Sequence, residues 1–167
     1  MSLTEIIENL KSHDDFYILT HQYPDGDTLG SAFALCRALQ LQGKRARVLC
    51  PDVIAPKYEY LKRGIKPQTD FEPKYIISVD VADANLLGRL KETYGGIVDM
   101  CIDHHSSNTG YAKCSYVDGT KAAAAEIIYE VIKLLGVDFD VDIASCIYTA
   151  ISTDTGCFRY TNATPQS

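Results

Sequence analysis

The chain has 167 residues, of which 46% are hydrophobic and 23% are charged, so its length and composition suit a single globular domain with a sizeable core. It has no apolar run of about 18 residues, and its first residues lack the basic and apolar regions of a secretory signal, so we predict neither a membrane-spanning helix nor an export signal. The formal net charge of −6 argues against broad, non-specific binding to duplex nucleic acid, although it is compatible with a small nucleotide bound through metal ions.

Strand-like and helix-like segments alternate along the chain. Short runs rich in apolar residues predict five strands, at 16–20, 45–50, 75–79, 97–102 and 112–117. Apolar residues at helical spacing predict five helices, at 4–11, 29–42, 83–94, 120–135 and 142–151. Segment 51–70 is predicted to be irregular, with one helical turn at 57–62, and segment 161–167 to be polar and unstructured. The alternation predicts a doubly wound α/β fold, with a mainly parallel sheet of about five strands and helices on both faces.

The six cysteines include no C-x-x-C pair, and most of them lie in apolar helical or strand runs. We therefore predict buried free thiols in a reducing compartment, which implies a cytoplasmic location. Cys157 alone lies beside a polar cluster, at Asp154, and is the one candidate for a functional thiol.

The loop between the first strand and the second helix reads HQYPDGDTLGS at 21–31. It carries one imidazole and two carboxylates, from His21, Asp25 and Asp27, within seven residues. Pro24 stiffens the loop, and Gly26 allows a sharp bend. Asp27 is also a candidate cap for the helix that follows. Open α/β sheets build their sites from polar groups at the carboxyl ends of strands, so this loop is the first candidate for a site.

Three more polar clusters end predicted strands or helices in the same way. They are Asp80, the triplet from Asp103 to His105, and Asp154. If the strands are parallel, these ends converge on one edge of the sheet and gather five aspartates and three histidines. Five carboxylates in one cleft repel one another unless cations neutralise them. Carboxylate and imidazole together suit Mn²⁺, Zn²⁺ or Fe²⁺, with Mg²⁺ as a further candidate.

With these four motifs, the chain resembles the DHH phosphoesterase family, which is named for its Asp-His-His triplet. Residues 15–160 carry the resemblance, and DGD at 25–27 followed by LGS at 29–31 is similar to the nuclease and nucleotidase branch. TDTGCFRY at 153–160 most resembles the bacterial nanoRNase/pAp phosphatases, or bifunctional oligoribonucleases. That branch continues into a second, smaller domain that grips substrate. We therefore expect a metal-binding catalytic DHH domain at 1–160, the start of an inter-domain linker at 161–167, and a substrate-binding domain that is absent from this chain.

The resemblance implies two adjacent divalent ions, with Mn²⁺ expected and Mg²⁺ as the alternative. One ion would be bound by His21, Asp25 and Asp80, and the other by Asp27, Asp80, His104 and Asp154. Asp80 would then bridge the two ions. Hydrolysis of a phosphate ester places negative charge on both the attacking and the leaving oxygen, and two ions roughly 3.5–4 Å apart can stabilise both.

Adjacent residues of an extended segment point in opposite directions, so one of His104 and His105 can bind metal while the other faces the substrate. The resemblance makes His105 the phosphate-facing residue. It places His105 in the catalytic group with Asp80, His104 and Asp103. Asp103 would either fix a histidine tautomer or act as a weak extra ligand.

Four further residues are weaker candidates for contacts to substrate. Ser31 and Arg159 could contact a phosphate, with close helix packing and a surface position as the respective alternatives. Tyr58 and Tyr60 could stack on a base, although packing in the core or in a groove is favoured.

The predicted function is metal-dependent hydrolysis of phosphoesters in short oligoribonucleotides or 3',5'-bisphosphorylated nucleotides (pAp). A cyclic or linear dinucleotide phosphodiesterase is an alternative with the same chemistry. A metal-stabilised binding module without turnover is an alternative of another class, and the complete set of four motifs argues against it. The expected partners are short RNA or small nucleotide substrates. We expect no membrane partner and no specificity for double-stranded DNA, and a homodimer is left open.

Overall fold

The computed structural model describes residues 1–165 and residue 167, and it contains a five-stranded sheet in which every strand is parallel to its neighbours. The strands are β1 (Phe16–Leu19), β2 (Ala46–Leu49), β3 (Tyr75–Val79), β4 (Met100–Asp103) and β5 (Cys114–Val117). Their order is β2-β1-β3-β4-β5, so the direction of winding reverses between β1 and β3. This arrangement confirms the predicted doubly wound α/β fold.

Most of the helical structure covers one face of the sheet. The α-helices are α1 (Leu3–Ser12), α2 (Gly26–Leu41), α3 (Lys91–Tyr94), α4 (Ala124–Leu135) and α5 (Val141–Asp154). All of them except α3 contribute buried side chains to the larger of two hydrophobic cores. The side chains of Phe16 and Ile18 face this core, whereas those of Tyr17 and Leu19 face the smaller core on the opposite side. Strands buried on both faces read as continuous apolar runs, which is why β1 was recognisable in the sequence.

The opposite face is covered by a 3₁₀ helix at Ala84–Leu90 and by the single turn of α3. The prediction of one continuous helix over 83–94 is therefore wrong. Asp83 does cap the segment, since its Oδ1 accepts a hydrogen bond of 2.7 Å from the amide of Asn85. The segment is interrupted at Gly88, whose φ of 53° lies outside the helical region.

Other boundaries also differ from the predictions, among them the end of α5, which is Asp154 instead of residue 151, and the starts of three further elements. Helix α2 begins at Gly26, three residues before the predicted start, because Asp25 is its N-cap. Strand β4 begins at Met100, and Ile97, the predicted start, is 48% exposed. Helix α4 begins at Ala124 instead of residue 120, because the amide and hydroxyl of Thr120 donate to Asp118 in a preceding turn.

The last described residues contain no helix or strand, as expected, but they contact the domain. The side-chain amide of Asn162 donates to the carbonyl oxygens of Ala122 (3.2 Å) and Asp154 (3.1 Å). Of the segment predicted to be unstructured, Gln166 lies outside the described residues. None of the described helices is long and apolar enough to cross a membrane.

Candidate metal centre

The predicted site residues meet at the carboxyl edge of the sheet, where the direction of winding reverses. His21 and Asp25 follow β1, Asp80 follows β3, and the Asp103–His105 triplet ends β4. Asp154 is the last residue of α5, which packs against α2. Ligands of doubly wound sheets bind where the winding reverses, so the topology makes this edge the candidate for a site.

The loop after β1 is held by contacts within its own sequence. Asp25 Oδ1 accepts hydrogen bonds from the amides of Asp27 (3.0 Å) and Thr28 (3.1 Å), which starts α2. The Thr28 hydroxyl donates to the Val79 carbonyl oxygen at 3.1 Å and so ties this helix start to the end of β3. Our suggestion that Asp27 caps α2 is wrong, because Asp25 occupies that position.

His21 and Asp25 form what we call the outer donor group. His21 Nδ1 lies 2.7 Å from the carbonyl oxygen of Gln22, so a proton on Nδ1 leaves Nε2 as the free donor atom. That Nε2 lies 3.7 Å from Asp25 Oδ1 and 3.6 Å from Asp80 Oδ2. The Asp25 side chain is half exposed.

Asp27, His104 and Asp154 form the inner donor group. His104 Nδ1 lies 3.1 Å from the carbonyl oxygen of Lys121, which again leaves Nε2 free. That Nε2 lies 3.7 Å from Asp27 Oδ2 and 3.4 Å from Asp154 Oδ2. The two donor groups thus repeat one design, in which a backbone carbonyl orients an imidazole towards carboxylates.

Asp80 lies between the two donor groups. Its Oδ2 faces His21, whereas its Oδ1 is 3.5 Å from His104 Nε2 and 3.5 Å from His105 Nδ1. The residue is 3% exposed, and its φ of 61° is rare for a residue other than glycine. The backbone therefore holds Asp80 in an uncommon conformation that presents one oxygen to each donor group.

The donor set fits divalent ions. Ligand atoms at about 2.0–2.2 Å from a shared ion lie roughly 3–3.5 Å apart. The distances from His21 Nε2 and His104 Nε2 to the carboxylate oxygens, 3.4–3.7 Å, are close to this and longer than usual hydrogen bonds. Asp80 Oδ1 and His104 Nε2 are buried and have no hydrogen-bond partner among the described residues. Three clusters of donor atoms, each within 4.8 Å, contain all the predicted ligands: Asp80, His104 and His105; His21, Asp25 and Asp80; and Asp27, His104 and Asp154.

Burial and mutual repulsion make the cleft electrostatically unfavourable without cations. Burial, then the charges of Asp80 and Asp154, raise the pKa of Asp27 well above its usual value. Burial also raises the pKa of Asp80. Burial opposes the charged form of His21, but the adjacent carboxylates outweigh it and raise the pKa to about 10. For His104 the same balance raises the pKa to about 9. The site therefore takes up protons when no cation is present.

Asp27 has a second role that links the site to the fold. Its carboxylate accepts hydrogen bonds from the amides of Ala124 (2.6 Å) and Ala125 (3.0 Å), the first two residues of α4. Helix α4 has no side-chain cap from its own N-cap residue, Ala123. Asp27, which precedes Ala124 by 97 residues in the chain, instead accepts from two of the amides that have no partner within the helix. The Ser31 hydroxyl donates to Asp27 Oδ1 at 2.9 Å and is fully buried. The geometry thus places Ser31 behind Asp27 and away from the open side of the cleft.

Asp103 forms hydrogen bonds with both histidines of the triplet. It is fully buried, and its Oδ1 accepts from the amides of His104 and His105 and lies 2.8 Å from His105 Nδ1. The side-chain amide of Asn108 donates to the other oxygen at 2.7 Å. The hydrogen bond between His105 and Asp103 outweighs the effect of burial and raises the pKa of His105. Of the two roles considered for Asp103, the geometry favours fixing the His105 tautomer.

The remaining candidates lie outside the donor groups. Arg159 is exposed, beyond the end of α5, and forms no ion pair with another described residue. Tyr58 is buried, whereas Tyr60 is 37% exposed and its hydroxyl lies 2.6 Å from the Thr149 hydroxyl. We did not anticipate Asn108 from the sequence, because nothing local marks a loop amide as a partner of Asp103. Nor did we single out Tyr23, whose ring is 82% exposed beside Asp25, although its place in the first polar loop was a usable signal.

Curated proteins match this chain along nearly its whole length. The bifunctional oligoribonuclease and PAP phosphatase NrnA of Thermus thermophilus is 35% identical over 158 residues, which cover 90% of this chain and 46% of the relative. The protein of the same name from Bacillus subtilis is 26% identical over 168 residues, which cover 98% of this chain and 53% of the relative. The chain thus spans about half the length of the curated relatives it matches.

Solved structures share the fold. An exopolyphosphatase-related protein from Bacteroides fragilis superposes with a TM-score of 0.86 at 22% identity, over 98% of this chain and 53% of that one. The exonuclease RecJ bound to manganese superposes with a TM-score of 0.58 at 16% identity, over 95% of this chain and 43% of that one. The model of the DHH family, N-terminal domain, matches residues 15–151. The chain therefore belongs to the DHH family, whose N-terminal domain it contains.

Proposed function

We propose that this chain is the metal-dependent catalytic domain of a phosphoesterase that hydrolyses short oligoribonucleotides or 3',5'-bisphosphorylated nucleotides such as pAp. The observation that carries the proposal is the position of Asp80, which presents one oxygen to each of two donor groups. The relatives named as bifunctional oligoribonucleases and PAP phosphatases support this class of substrate.

Two divalent ions would be bound in the cleft, one by the outer donor group and one by the inner donor group, with Asp80 shared between them. Mn²⁺ fits the mixture of carboxylate and imidazole, and Mg²⁺ is the alternative. When bound, such a pair lowers the pKa of water and offsets the negative charge that develops on the phosphoryl oxygens. The unpartnered atoms of Asp80 and His104 support this assignment.

We assign the contact with the substrate to His105. Asp103 holds its Nδ1, so Nε2 is the atom left to contact a phosphate oxygen, and the His105 side chain is 44% exposed. The Asp103 carboxylate raises the pKa of His105, which favours the protonated imidazole, and Nε2–H of that form can donate to the leaving oxygen. Ala82, Leu86 and Ser107 also line the cleft.

Several wider expectations stay predictions beside this proposal. They are a cytoplasmic location, a possible homodimer, the absence of double-stranded DNA specificity, and a division into a catalytic domain at 1–160 and a linker from residue 161. The net charge of −6 supports small substrates over duplexes.

The proposal is tested by incubating the chain with Mn²⁺ and a panel of a short RNA, pAp, a cyclic dinucleotide and pyrophosphate. We expect the chain to hydrolyse the short RNA or pAp, and the Asp80→Asn variant to lose this activity. The control variant Asp138→Asn should keep it, because Asp138 is exposed and precedes the N-terminus of α5, whereas Asp154 of the site is at the C-terminus of that helix. Preference for the cyclic dinucleotide would favour the phosphodiesterase alternative. Tight Mn²⁺ binding without turnover of any member would favour the binding module.

A further inference from the structure

A second cavity adjoins the metal cleft and shares Asp25 with it. Its volume is about 580 Å³, within the range of small-molecule sites. We call it the Tyr23 cavity; besides Asp25 and Asp52, its lining residues are Tyr23, Pro24, Val53, Ala55, Lys57 and Tyr58. A substrate whose scissile phosphate lies in the cleft would pass over Asp25 into this cavity.

Tyr23 lines the cavity and has an uncommon backbone conformation. Its φ is 55°, a left-handed conformation that bulky residues rarely adopt. Two hydrogen bonds hold the backbone that enters this residue, since the Tyr23 amide donates to Asp52 Oδ2 at 2.7 Å and the Gln22 amide donates to the Leu86 carbonyl oxygen at 2.7 Å. Such strain concentrates at binding and catalytic sites, and here it leaves a large ring 82% exposed.

The lining of the cavity suits a base next to a phosphate. Val53 is 92% exposed and provides apolar surface, as does the nearby wall of Ala55 and Tyr58. Lys57 is exposed, with its Nζ 4.7 Å from the centre of the Tyr58 ring, and brings one positive charge to a lining that also includes the carboxylates of Asp25 and Asp52. A wholly charged substrate such as pyrophosphate would gain nothing from the apolar part, whereas a nucleotide offers both an aromatic face and an anion.

We infer that the Tyr23 cavity binds the nucleobase next to the scissile phosphate, with the Tyr23 ring as its stacking platform. The inference rests on the proposed function and specifies which part of the substrate the domain itself recognises. Stacking on an aromatic ring tolerates every base, so the cavity would select for a nucleotide without selecting for sequence.

A binding test independent of turnover is available because the chain contains no tryptophan. The variant Tyr23→Trp introduces a single indole, and AMP is added in the presence of Mg²⁺, since paramagnetic Mn²⁺ would itself quench the emission. We expect saturable quenching by AMP and none by ribose 5-phosphate, which lacks the base. The matched control is Tyr148→Trp, at a ring 65% exposed on α5, where AMP should cause no saturable change.

A kinetic test uses diadenylate and its two abasic analogues, each lacking one base. Tyr23→Ala should raise KM for diadenylate by about 10-fold or more, and Tyr23→Phe should restore it, because stacking needs the ring and not the hydroxyl. The effect of Tyr23→Ala should disappear with the analogue that lacks the stacked base, and Tyr148→Ala should have no effect.

The outcomes separate this inference from the proposed function. An indole at position 23 that does not respond to AMP would overturn the inference, and so would an equal loss of activity by Tyr23→Ala on diadenylate and on both abasic analogues. Saturable quenching in a chain that hydrolyses none of the nucleotides would support the base site while counting against the proposed activity.

Discussion

The two donor groups of the cleft are built in different ways. The outer donor group, His21 and Asp25, lies on one loop, is oriented by its immediate neighbours and includes a half-exposed carboxylate. The inner donor group draws on α2, β4 and α5, and its Asp27 is fully buried and bonded to the first amides of α4. The inner donor group therefore also holds secondary-structure elements together, whereas the outer donor group makes contacts mainly within its own loop. Substitutions in the two groups should therefore fail in different ways.

The largest effect is expected at Asp80, which both groups share. Asp80→Ala should lose both ions and abolish activity, whereas Asp25→Ala and Asp154→Ala should each weaken only one ion. Calorimetric titration with Mn²⁺ measures the number of ions bound, and a thermal melt reports whether they stabilise the fold. If Asp80→Ala kept two tightly bound ions, Asp80 would not be the shared ligand.

The next largest effect separates the groups by stability. Asp27→Ala leaves two buried amides of α4 without a partner, at about 1–3 kcal/mol each, partly offset by relief of repulsion with Asp80. We expect a net loss of about 2–4 kcal/mol in the free energy of unfolding of the metal-free chain. Asp25→Ala removes an ordinary helix cap, worth about 1 kcal/mol.

Urea unfolding in the presence of a chelator measures both losses. Asp27→Asn is the intermediate case, because its one amide oxygen can still accept from Ala125 and Ser31, whereas its NH2 group cannot accept from Ala124. Equal losses for Asp27→Ala and Asp25→Ala would show that the inner group is no more part of the fold than the outer one.

A smaller effect is expected at Asn108, which belongs to neither group. Asn108→Ala frees the Asp103 carboxylate that holds His105, and partners of this kind are typically worth 10–100-fold in activity. We expect kcat to fall by about 10-fold with both ions still bound and KM little changed. Loss of an ion in this variant would mean that Asp103 acts on His104 as well as on His105.

The smallest effect concerns protons. The raised pKa values, about 10 for His21 and about 9 for His104, mean that both rings carry a proton at pH 7 in the metal-free chain. Since the ordinary value is about 6.5, their contribution to stability is complete below pH 6.5 and is lost as the pH rises towards 9–10. The melting temperature of the metal-free chain should therefore fall between pH 6.5 and 8.5.

Metal binding reverses this dependence, because only the unprotonated Nε2 is a ligand. Mn²⁺ should bind more tightly at pH 8 than at pH 6.5 and should release protons, which titrations in buffers of different ionisation enthalpy would detect. Binding without proton release at pH 7 would show that the histidines are not the ligands. A difference in proton release between Asp25→Ala and Asp154→Ala would show which imidazole belongs to which ion.

Much of the site could be predicted because its residues follow local rules. His21, Asp80 and His104 each follow a strand whose apolar run is legible in the sequence, and parallel strands bring such positions together. The individual roles of the carboxylates were harder to predict from the sequence. Asp25 and Asp27 are both acidic residues at a helix start, and only the structure shows that the first caps α2 while the second serves α4.

The sequence by itself determined the α/β class, the order of the elements and the convergence of five aspartates and three histidines, because periodicity and strand-end position are local properties. Only the tertiary structure decided which carboxylate oxygen faces which imidazole and that Asp27, 97 residues earlier, caps α4. It also decided that the helical segment on the second face of the sheet is interrupted at Gly88. These features depend on groups that are distant in sequence or on a backbone conformation that Gly88 permits but does not require. A buried carboxylate takes whatever donors the packed chain brings to it, and that pairing is fixed only when the helices have docked.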